Sequence, residues 1–188
     1  GGTADIAVIS MGGVVSSKNV RIAGDKLNND ISSYIRSEFK MVIGDKTAEN
    51  IKITIGSLLP GESPIETKAR GRDLVTGLPK EVIVTDSDVR NAISHSVERL
   101  VGASKEVLEL TPPEILSDVM DRGIPLSGGG GLTKGLAQVL EEEVNMPVYI
   151  ADDPLTCVVR GTGIILENLE NYRDVLVQDE NDISSKSI

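Results

Sequence analysis

Four consecutive glycines at positions 128–131 are the part of the sequence best suited to bind a ligand. Residues 123–126 before them read as a short buried strand, and the residues after them are apolar at helical spacing: Leu132, Leu136, Val139 and Leu140. Glycines lose backbone entropy on ordering, but they let main-chain N–H groups come close to a ligand. Because the next helix would begin there, its positive dipole end favours an anion or a polar ring edge. A flexible strand-to-helix turn is the alternative.

Glu49 and Lys52 are a second candidate pair, three residues apart on one face of a predicted helix. Thr47 is the predicted N-cap of this helix, and its inward face carries Ala48, Ile51 and Ile55. Taken alone, the pair indicates a solvated ion pair worth roughly a few tenths of a kcal/mol. The single histidine, His95, has no second histidine or cysteine cluster nearby, so we expect it on the surface and not in a metal site.

The composition limits the possible classes of protein. The 188 residues carry a formal net charge of −10, which argues against non-specific binding to nucleic acid or anionic lipid. One cysteine, Cys157, excludes an internal disulfide and suits a reducing cytoplasm. We find no apolar run long enough to cross a bilayer and no signal peptide. Since the chain opens on Gly1 and not on methionine, we expect a fragment of a longer protein.

The elements that must hold these residues alternate between strands and helices. Residues 5–10, 14–17 and 20–23 are predicted as a three-stranded meander whose first strand is central in its sheet. Charge alternation predicts an antiparallel pair of strands at 65–74 and 80–85. Asp25 and Thr111 are predicted helix N-caps, the second followed by Pro112 and Glu114. A last helix is predicted to begin at Asp153. It contains Gly161 and Gly163, which we expect to allow close helix packing or the approach of a ligand.

This order predicts two units and a tail. Residues 1–24 and 96–170 form the predicted large α/β lobe, and residues 25–95 form a smaller inserted subdomain. Residues 171–188 are polar and acidic, which is typical of a disordered tail.

A longer series of motifs occurs in a fixed order along the chain. The series is Gly1-Gly2-Thr3, Arg21-Ile22-Ala23-Gly24-Asp25, Gly44-Asp45-Lys46-Thr47-Ala48-Glu49 with Lys52, Arg70-Gly71-Arg72-Asp73-Leu74, Leu78-Pro79, Thr111-Pro112-Pro113-Glu114, Asp121-Arg122-Gly123-Ile124, the glycine run, and Asp152-Asp153-Pro154-Leu155-Thr156-Cys157-Val158. It resembles the C-terminal half of MreB, the family of bacterial actin homologues, from residue 1 to about residue 169.

The resemblance implies an α/β fold, one lobe of the actin-like (ribonuclease H-like) ATPase fold with a small inserted α+β subdomain. It implies ATP, with Mg²⁺, held between two lobes. Gly1, Gly2 and Thr3 would end a phosphate-binding hairpin, and the Thr3 hydroxyl would be the catalytic group, contacting phosphate oxygens or the attacking water. Family members commonly carry another glycine and an aspartate upstream, which this sequence lacks, and Ala4 stands where threonine is frequent.

The same resemblance implies that residues 49–52 and the glycine run also contact the nucleotide. The residues implied to contact adenosine are Glu49, Asn50, Ile51 and Lys52. For Glu49 and Lys52, this implied role replaces the interpretation as a solvated ion pair. The residues implied to pass under the nucleotide, where a side chain would clash, are Gly129, Gly130, Gly131 and Leu132. In the family the metal-positioning acid lies on the other lobe, so no metal ligand is assigned here. We therefore expect this chain alone to hydrolyse ATP poorly or not at all.

The implied function is that of an ATP-binding cytoskeletal protein that polymerises into membrane-associated filaments and maintains rod cell shape. Its implied location is the cytoplasm, at the inner face of the cell membrane. Its implied partners are further copies of itself and membrane-bound wall-synthesis and scaffold proteins, with membrane contact made by the other half and no nucleic acid. Two alternatives stay open. One is another ATPase of the superfamily, such as a chaperone, a sugar kinase or a plasmid-segregating filament, and the other is an acidic interaction module without nucleotide.

Overall fold

The computed structural model describes residues 1–172, which alternate strands and helices. In chain order the elements are β1 Ala4–Ser10, β2 Gly13–Val20, α1 Gly24–Glu38, β3 Met41–Val42, α2 Asp45–Ile55, β4 Glu66–Asp73, β5 Pro79–Thr85, α3 Asp86–Glu109, α4 Pro113–Arg122, β6 Ile124–Leu126, a 3₁₀ turn Gly129–Leu132, α5 Leu136–Val144, β7 Val148–Ile150 and α6 Cys157–Glu167.

The strands of the described residues form three small sheets. β1 and β2 pair antiparallel, with Ala4 opposite Val20. β3, β4 and β5 form an antiparallel sheet in that order, which confirms the antiparallel pair predicted at 65–74 and 80–85. β6 and β7 pair in parallel, with Leu126 opposite Ile150, and a helix crosses between them. Both of these last strands were predicted.

Three helices enclose the core, because α1, α2 and α3 pack against one another along aliphatic stripes. The side chains at its centre are at most 1% exposed, and they include Ile31, Ile35, Ile55, Val84 and Ile93. Burial of these stripes is the main favourable term in holding the helices together. It also fixes how α2 is rotated, and therefore which of its polar residues face outward.

The predicted three-stranded meander is wrong in its second half. β2 continues through Lys18 and Asn19 to Val20, and no third strand forms before α1. Cross-strand pairing is the reason, since Asn19 stands opposite Asp5 and its amide donates to the Asp5 carboxylate. β1 pairs with β2 alone in the described part of the chain, so it is not central there, and Ile9 is 67% exposed.

The three predicted N-caps are also wrong. α1 follows Ala23 and α2 follows Gly44, which leaves Asp25 and Thr47 inside the first turns. Thr111 precedes α4, but its hydroxyl donates to Val107 O at 2.8 Å and lies 2.9 Å from Ser16 Oγ. The Thr111 side chain is therefore directed into this buried network, and Pro112 is the residue that directly precedes α4.

α3 is a single helix of 24 residues that begins with a capping box made by Thr85 and Asp88. The predicted boundary between residues 95 and 96 falls inside this helix, and the division into two units stays a prediction. His95 is exposed, as expected.

α6 begins at Cys157, later than predicted. A Cβ built on Gly161 or Gly163 meets nothing within 4 Å, so no close packing uses them among the described residues. No helix in residues 1–172 is long and apolar enough to cross a membrane. The predicted tail lies outside the described residues, apart from 171 and 172.

Asp73 is expected to make the stability of the β4–β5 hairpin depend on pH. Its carboxylate binds Lys80 Nζ at 2.9 Å and accepts the N–H groups of Val75 and Thr76, and these bonds hold its pKa well below the usual range. Because the folded pKa lies below the unfolded one, this stabilisation is present at neutral pH and is lost as pH falls below about 4. Urea unfolding between pH 6 and pH 3 should show a smaller loss for Asp73→Asn than for wild type. An equal loss in both proteins would contradict this.

Candidate functional site

Lys52 of α2 brings together the start of the chain and the start of α1. Its ammonium donates to the Gly24 carbonyl at 3.3 Å, and the N–H of Asp25 donates to the Gly1 carbonyl at 3.2 Å. A Cβ on Gly24 would lie 3.3 Å from Lys52 Nζ, and one on Gly1 would lie 3.1 Å from the Asp25 carboxylate. Two of the three predicted segments, 1–3 and 49–52, are therefore joined through Gly24 and Asp25 at the start of α1.

The four residues predicted on α2 do not share one face. Glu49 is exposed, and its three-residue spacing puts it on the same side as half-buried Lys52. Lys52 bonds to the Gly24 carbonyl, and the two side chains form no ion pair among the described residues. Ile51 is 2% exposed in the core, so its side chain is out of reach of a ligand. Asn50 lines a groove of about 290 Å³ toward β4, a different direction from Lys52.

The glycine run does not lead directly into a helix, which corrects the sequence-based expectation. Gly129–Leu132 form a 3₁₀ turn, and α5 begins only at Leu136. Gly135 caps α5 in the left-handed region at φ 83°, and it packs against Leu59. The residue that caps α5 therefore packs against the loop after α2, and three residues separate the glycine turn from α5. Leu132, the last residue of the turn, is 47% exposed.

Two of the four glycines have a structural reason to be glycine. Gly128 has a φ of 78°, which side-chain-bearing residues rarely adopt. Gly131 is buried, and a Cβ there would lie 3.1 Å from Leu126 Cβ. Glycine at these two positions is explained by the fold and is therefore not evidence for a ligand.

The other two glycines have no such reason to be glycine. A Cβ on Gly130 meets nothing within 4 Å, and one on Gly129 makes only an ordinary contact with Leu155 at 3.6 Å. Neither residue has a positive φ, and both are exposed. Within residues 1–172 their N–H groups donate to no protein acceptor. Gly129 and Gly130 thus leave an open, donor-bearing stretch of main chain.

The loop after α2 ties this helix to the glycine run. Ser57 pairs with Lys134 in a parallel bridge, and the Leu58 N–H donates to the Lys134 carbonyl at 2.9 Å. Lys52 lies less than one turn before the end of α2, so the same end of α2 carries the bond to Gly24 and leads into the loop that pairs with Lys134, two residues after the 3₁₀ turn. The sequence pattern does not predict this link.

Thr3, the predicted catalytic residue, is exposed and makes no hydrogen bond to the described residues. The same part of the chain holds no group of three or more His, Cys, Asp or Glu side chains that could bind a metal. The free main-chain groups of Gly129 and Gly130 fit a phosphate or the edge of a ring, whereas nothing described here fits Mg²⁺ by itself.

Comparison with solved structures identifies the class of fold. The crystal structure of MreB5 of Spiroplasma citri bound to ADP matches with a TM-score of 0.86 and 38% identity, over 92% of this chain and 53% of that one. The AMPPNP-bound structure of the same protein matches equally well, with a TM-score of 0.86. A MamK double helical filament matches with a TM-score of 0.69 at 19% identity, over 82% of this chain and 48% of that one, which bears on the fold alone. The predicted actin-like α/β fold is confirmed.

Sequence comparison then identifies the family. The model of the MreB/Mbl protein family matches residues 1–174, and the chain belongs to this family. It is 47% identical to the cell shape-determining protein Mbl of Bacillus subtilis over 90% of this chain and 51% of that protein. It is 42% identical to the cell shape-determining protein MreB of Escherichia coli K12 over 96% of this chain and 52% of that protein. The chain thus spans about half the length of these relatives, and the predicted resemblance is confirmed.

Proposed function

We propose that this chain binds ATP as part of a longer natural protein, which is called the full-length protein below. The proposed surface is formed by Gly1–Thr3, Glu49 with Lys52, and Gly129–Gly130. The observation that carries this proposal is that Gly129 and Gly130 lack any steric or conformational reason to be glycine. Their exposed N–H groups are free to donate to a ligand, and the loop after α2 bonds to Lys134 just beyond the turn, while Lys52 of α2 bonds to Gly24 at the start of α1. The ADP and AMPPNP complexes of the Spiroplasma relative support this choice of ligand.

Each part of this surface has a distinct role in the proposal. Gly129 and Gly130 donate main-chain N–H groups and leave room for the ligand, and Lys52 offers an ammonium beside the carboxylate of Glu49. Gly1 and Gly2 let the backbone approach phosphate, and the Thr3 hydroxyl orients a phosphate oxygen or a water. We assign no side-chain contact to Ile51, because it is buried, and none to Asn50, because it faces β4.

Phosphoryl transfer to water needs positioning and neutralisation of charge, not a covalent nucleophile. Residues 1–172 supply donors but no group of three or more His, Cys, Asp or Glu side chains that could bind a metal, and we propose that phosphate and the other lobe hold Mg²⁺. We therefore expect the 188-residue chain alone to hydrolyse ATP poorly or not at all. A phosphate-release assay comparing it with the full-length protein tests this, and equal turnover in the two would contradict it.

We further propose that the full-length protein polymerises into filaments at the inner face of the cytoplasmic membrane and maintains rod cell shape. Two cell shape-determining relatives at 47% and 42% identity support this function. Membrane-bound wall-synthesis and scaffold proteins are the proposed partners, and the other half of the protein would make the membrane contact. No nucleic acid is involved, which agrees with the net charge of −10.

Sedimentation of the full-length protein with and without ATP tests the function. Pelleting that depends on ATP is the expected result. Soluble ATP turnover without pelleting would favour a chaperone-like or kinase-like ATPase of the same superfamily. If nucleotide changes neither pelleting nor turnover, the chain acts as an interaction module and the proposal fails.

A further inference from the structure

Asp86 and Arg90 form a largely buried ion pair in the first turns of α3, outside the surface proposed for the nucleotide. Arg90 Nη2 lies 2.7 Å from Asp86 Oδ2, and the two side chains are 23% and 7% exposed. Asp86 also accepts the Ile65 N–H at 3.3 Å, and its own N–H donates to the Ile65 carbonyl at 2.8 Å. A buried ion pair adds little net stability, because desolvation offsets the attraction, so its geometry calls for another explanation.

This pair holds the loop that joins α2 to β4. Arg90 Nη2 donates to the Leu59 carbonyl at 3.0 Å, and Ser57 Oγ donates to the same oxygen at 2.8 Å. Asp86 fixes the far end of the loop at Ile65. The connection, which contains Pro60, Gly61 and Pro64, is therefore fixed at its middle and at its end by two adjacent turns of one helix.

The part of the loop that Arg90 holds is also the part that touches the glycine segment. A Cβ on Gly135 would lie 3.0 Å from Leu59 Cγ and 3.1 Å from Leu59 N. The Leu58 N–H donates to the Lys134 carbonyl at 2.9 Å. The backbone of 58–59 thus lies between Arg90 on α3 and residues 134–135, which follow the 3₁₀ turn after Thr133.

We propose that Arg90, oriented by Asp86, is a positioning residue for the glycine turn: it fixes the Leu59 carbonyl, and the backbone at 58–59 in turn fixes residues 134–135 and the turn Gly129–Leu132. Because the turn is the proposed nucleotide contact, this inference rests on the proposed function. Neither Arg90 nor Asp86 touches the nucleotide. Their effect is on the placement and rigidity of the N–H groups that do.

The test uses the full-length protein and two readouts. Amide hydrogen exchange without nucleotide reports on the turn itself, and a fluorescent ADP analogue reports on affinity. In Arg90→Ala we expect faster exchange across residues 129–136 and about fivefold weaker ADP binding, in line with coupling through a packed network. Arg70→Ala is the matched control, because Arg70 is 81% exposed and pairs with Glu81 at the surface, and it should change neither readout.

Four further results decide the inference. Arg90→Lys keeps a charged donor for Leu59 and Asp86, and should restore slow exchange at 129–136. If exchange there stays at the wild-type rate in Arg90→Ala while 57–65 exchanges faster, the coupling does not reach the turn and the inference is wrong. If Arg90→Ala does not fold, the near-isosteric Asp86→Asn must show the faster exchange at 129–136 instead. Should wild type bind no ADP, the proposed function fails, and the exchange readout alone decides this inference.

Discussion

Gly130→Val is expected to abolish ATP binding by the full-length protein, a loss of more than about 100-fold in affinity, and to leave the fold intact. The branched side chain would occupy the open space in which the ligand is proposed to lie, and it would cover N–H groups that have no protein acceptor within residues 1–172. Folding should tolerate it, since φ is not positive at Gly130 and a Cβ there meets nothing within 4 Å. Isothermal titration with ADP and thermal unfolding measure the two effects separately.

Gly13→Val is the matched control for this substitution. Gly13 is also exposed, also has no positive φ, and its added Cβ would lie 3.8 Å from the nearest atom, the Ser10 carbonyl oxygen. It stands at the β1–β2 turn, which none of the three proposed segments includes. We expect this variant to bind ADP with wild-type affinity. Native affinity in Gly130→Val, or an equal loss in both variants, would remove the glycine turn from the site.

Lys52→Ala is expected to weaken ADP binding by about 10- to 100-fold, the range for losing a hydrogen bond from a charged group. The ammonium is half-buried and already bonded to the Gly24 carbonyl, so it is held in place before a ligand arrives. Substitution removes both a ligand contact and the link between α2 and the start of α1. Glu49→Gln, at an exposed position on the same face, should give a smaller loss.

Lys105→Ala serves as the control for loss of a bonded lysine. Lys105 of α3 donates to Glu143 of α5 at 2.7 Å, and it belongs to none of the three proposed segments. The same titration should give wild-type affinity for this variant. If Lys52→Ala binds ADP as tightly as Lys105→Ala does, the α2 segment takes no part in binding.

The core helices and the β4–β5 hairpin could be predicted because their signals are local. Apolar residues three or four apart mark α1 and α2, and alternation marks β4 and β5. The helix caps could not be predicted, since the Thr111 hydroxyl bonds to Val107 and lies beside the hydroxyl of Ser16, 95 positions away in the chain. The extent of β2 likewise depends on the pairing of Asn19 with Asp5. The sequence does not predict this pairing, because Lys18-Asn19 is typical of a turn.

The glycine run illustrates the same limit within the candidate site. Its position between a strand and a helix indicates a ligand contact. Because the four residues are all glycine, the sequence does not distinguish the role of one from that of another. Only the backbone angles and neighbouring atoms separate Gly128 and Gly131, which the fold needs, from Gly129 and Gly130, which it does not. The sequence also does not predict the proposed positioning role of Arg90, because this role depends on a hydrogen bond to the Leu59 carbonyl, 31 positions earlier in the chain.

A structure of the full-length protein with Mg²⁺ and AMPPNP tests the central claim most directly. We expect one nucleotide in contact with three separate segments: Gly2 and Thr3 near phosphate, Lys52 near the ribose or base, and the main chain of Gly129 and Gly130 beneath it. A nucleotide bound elsewhere, or one that touches residues 1–3 but leaves Lys52 and Gly130 in solvent, would contradict the account.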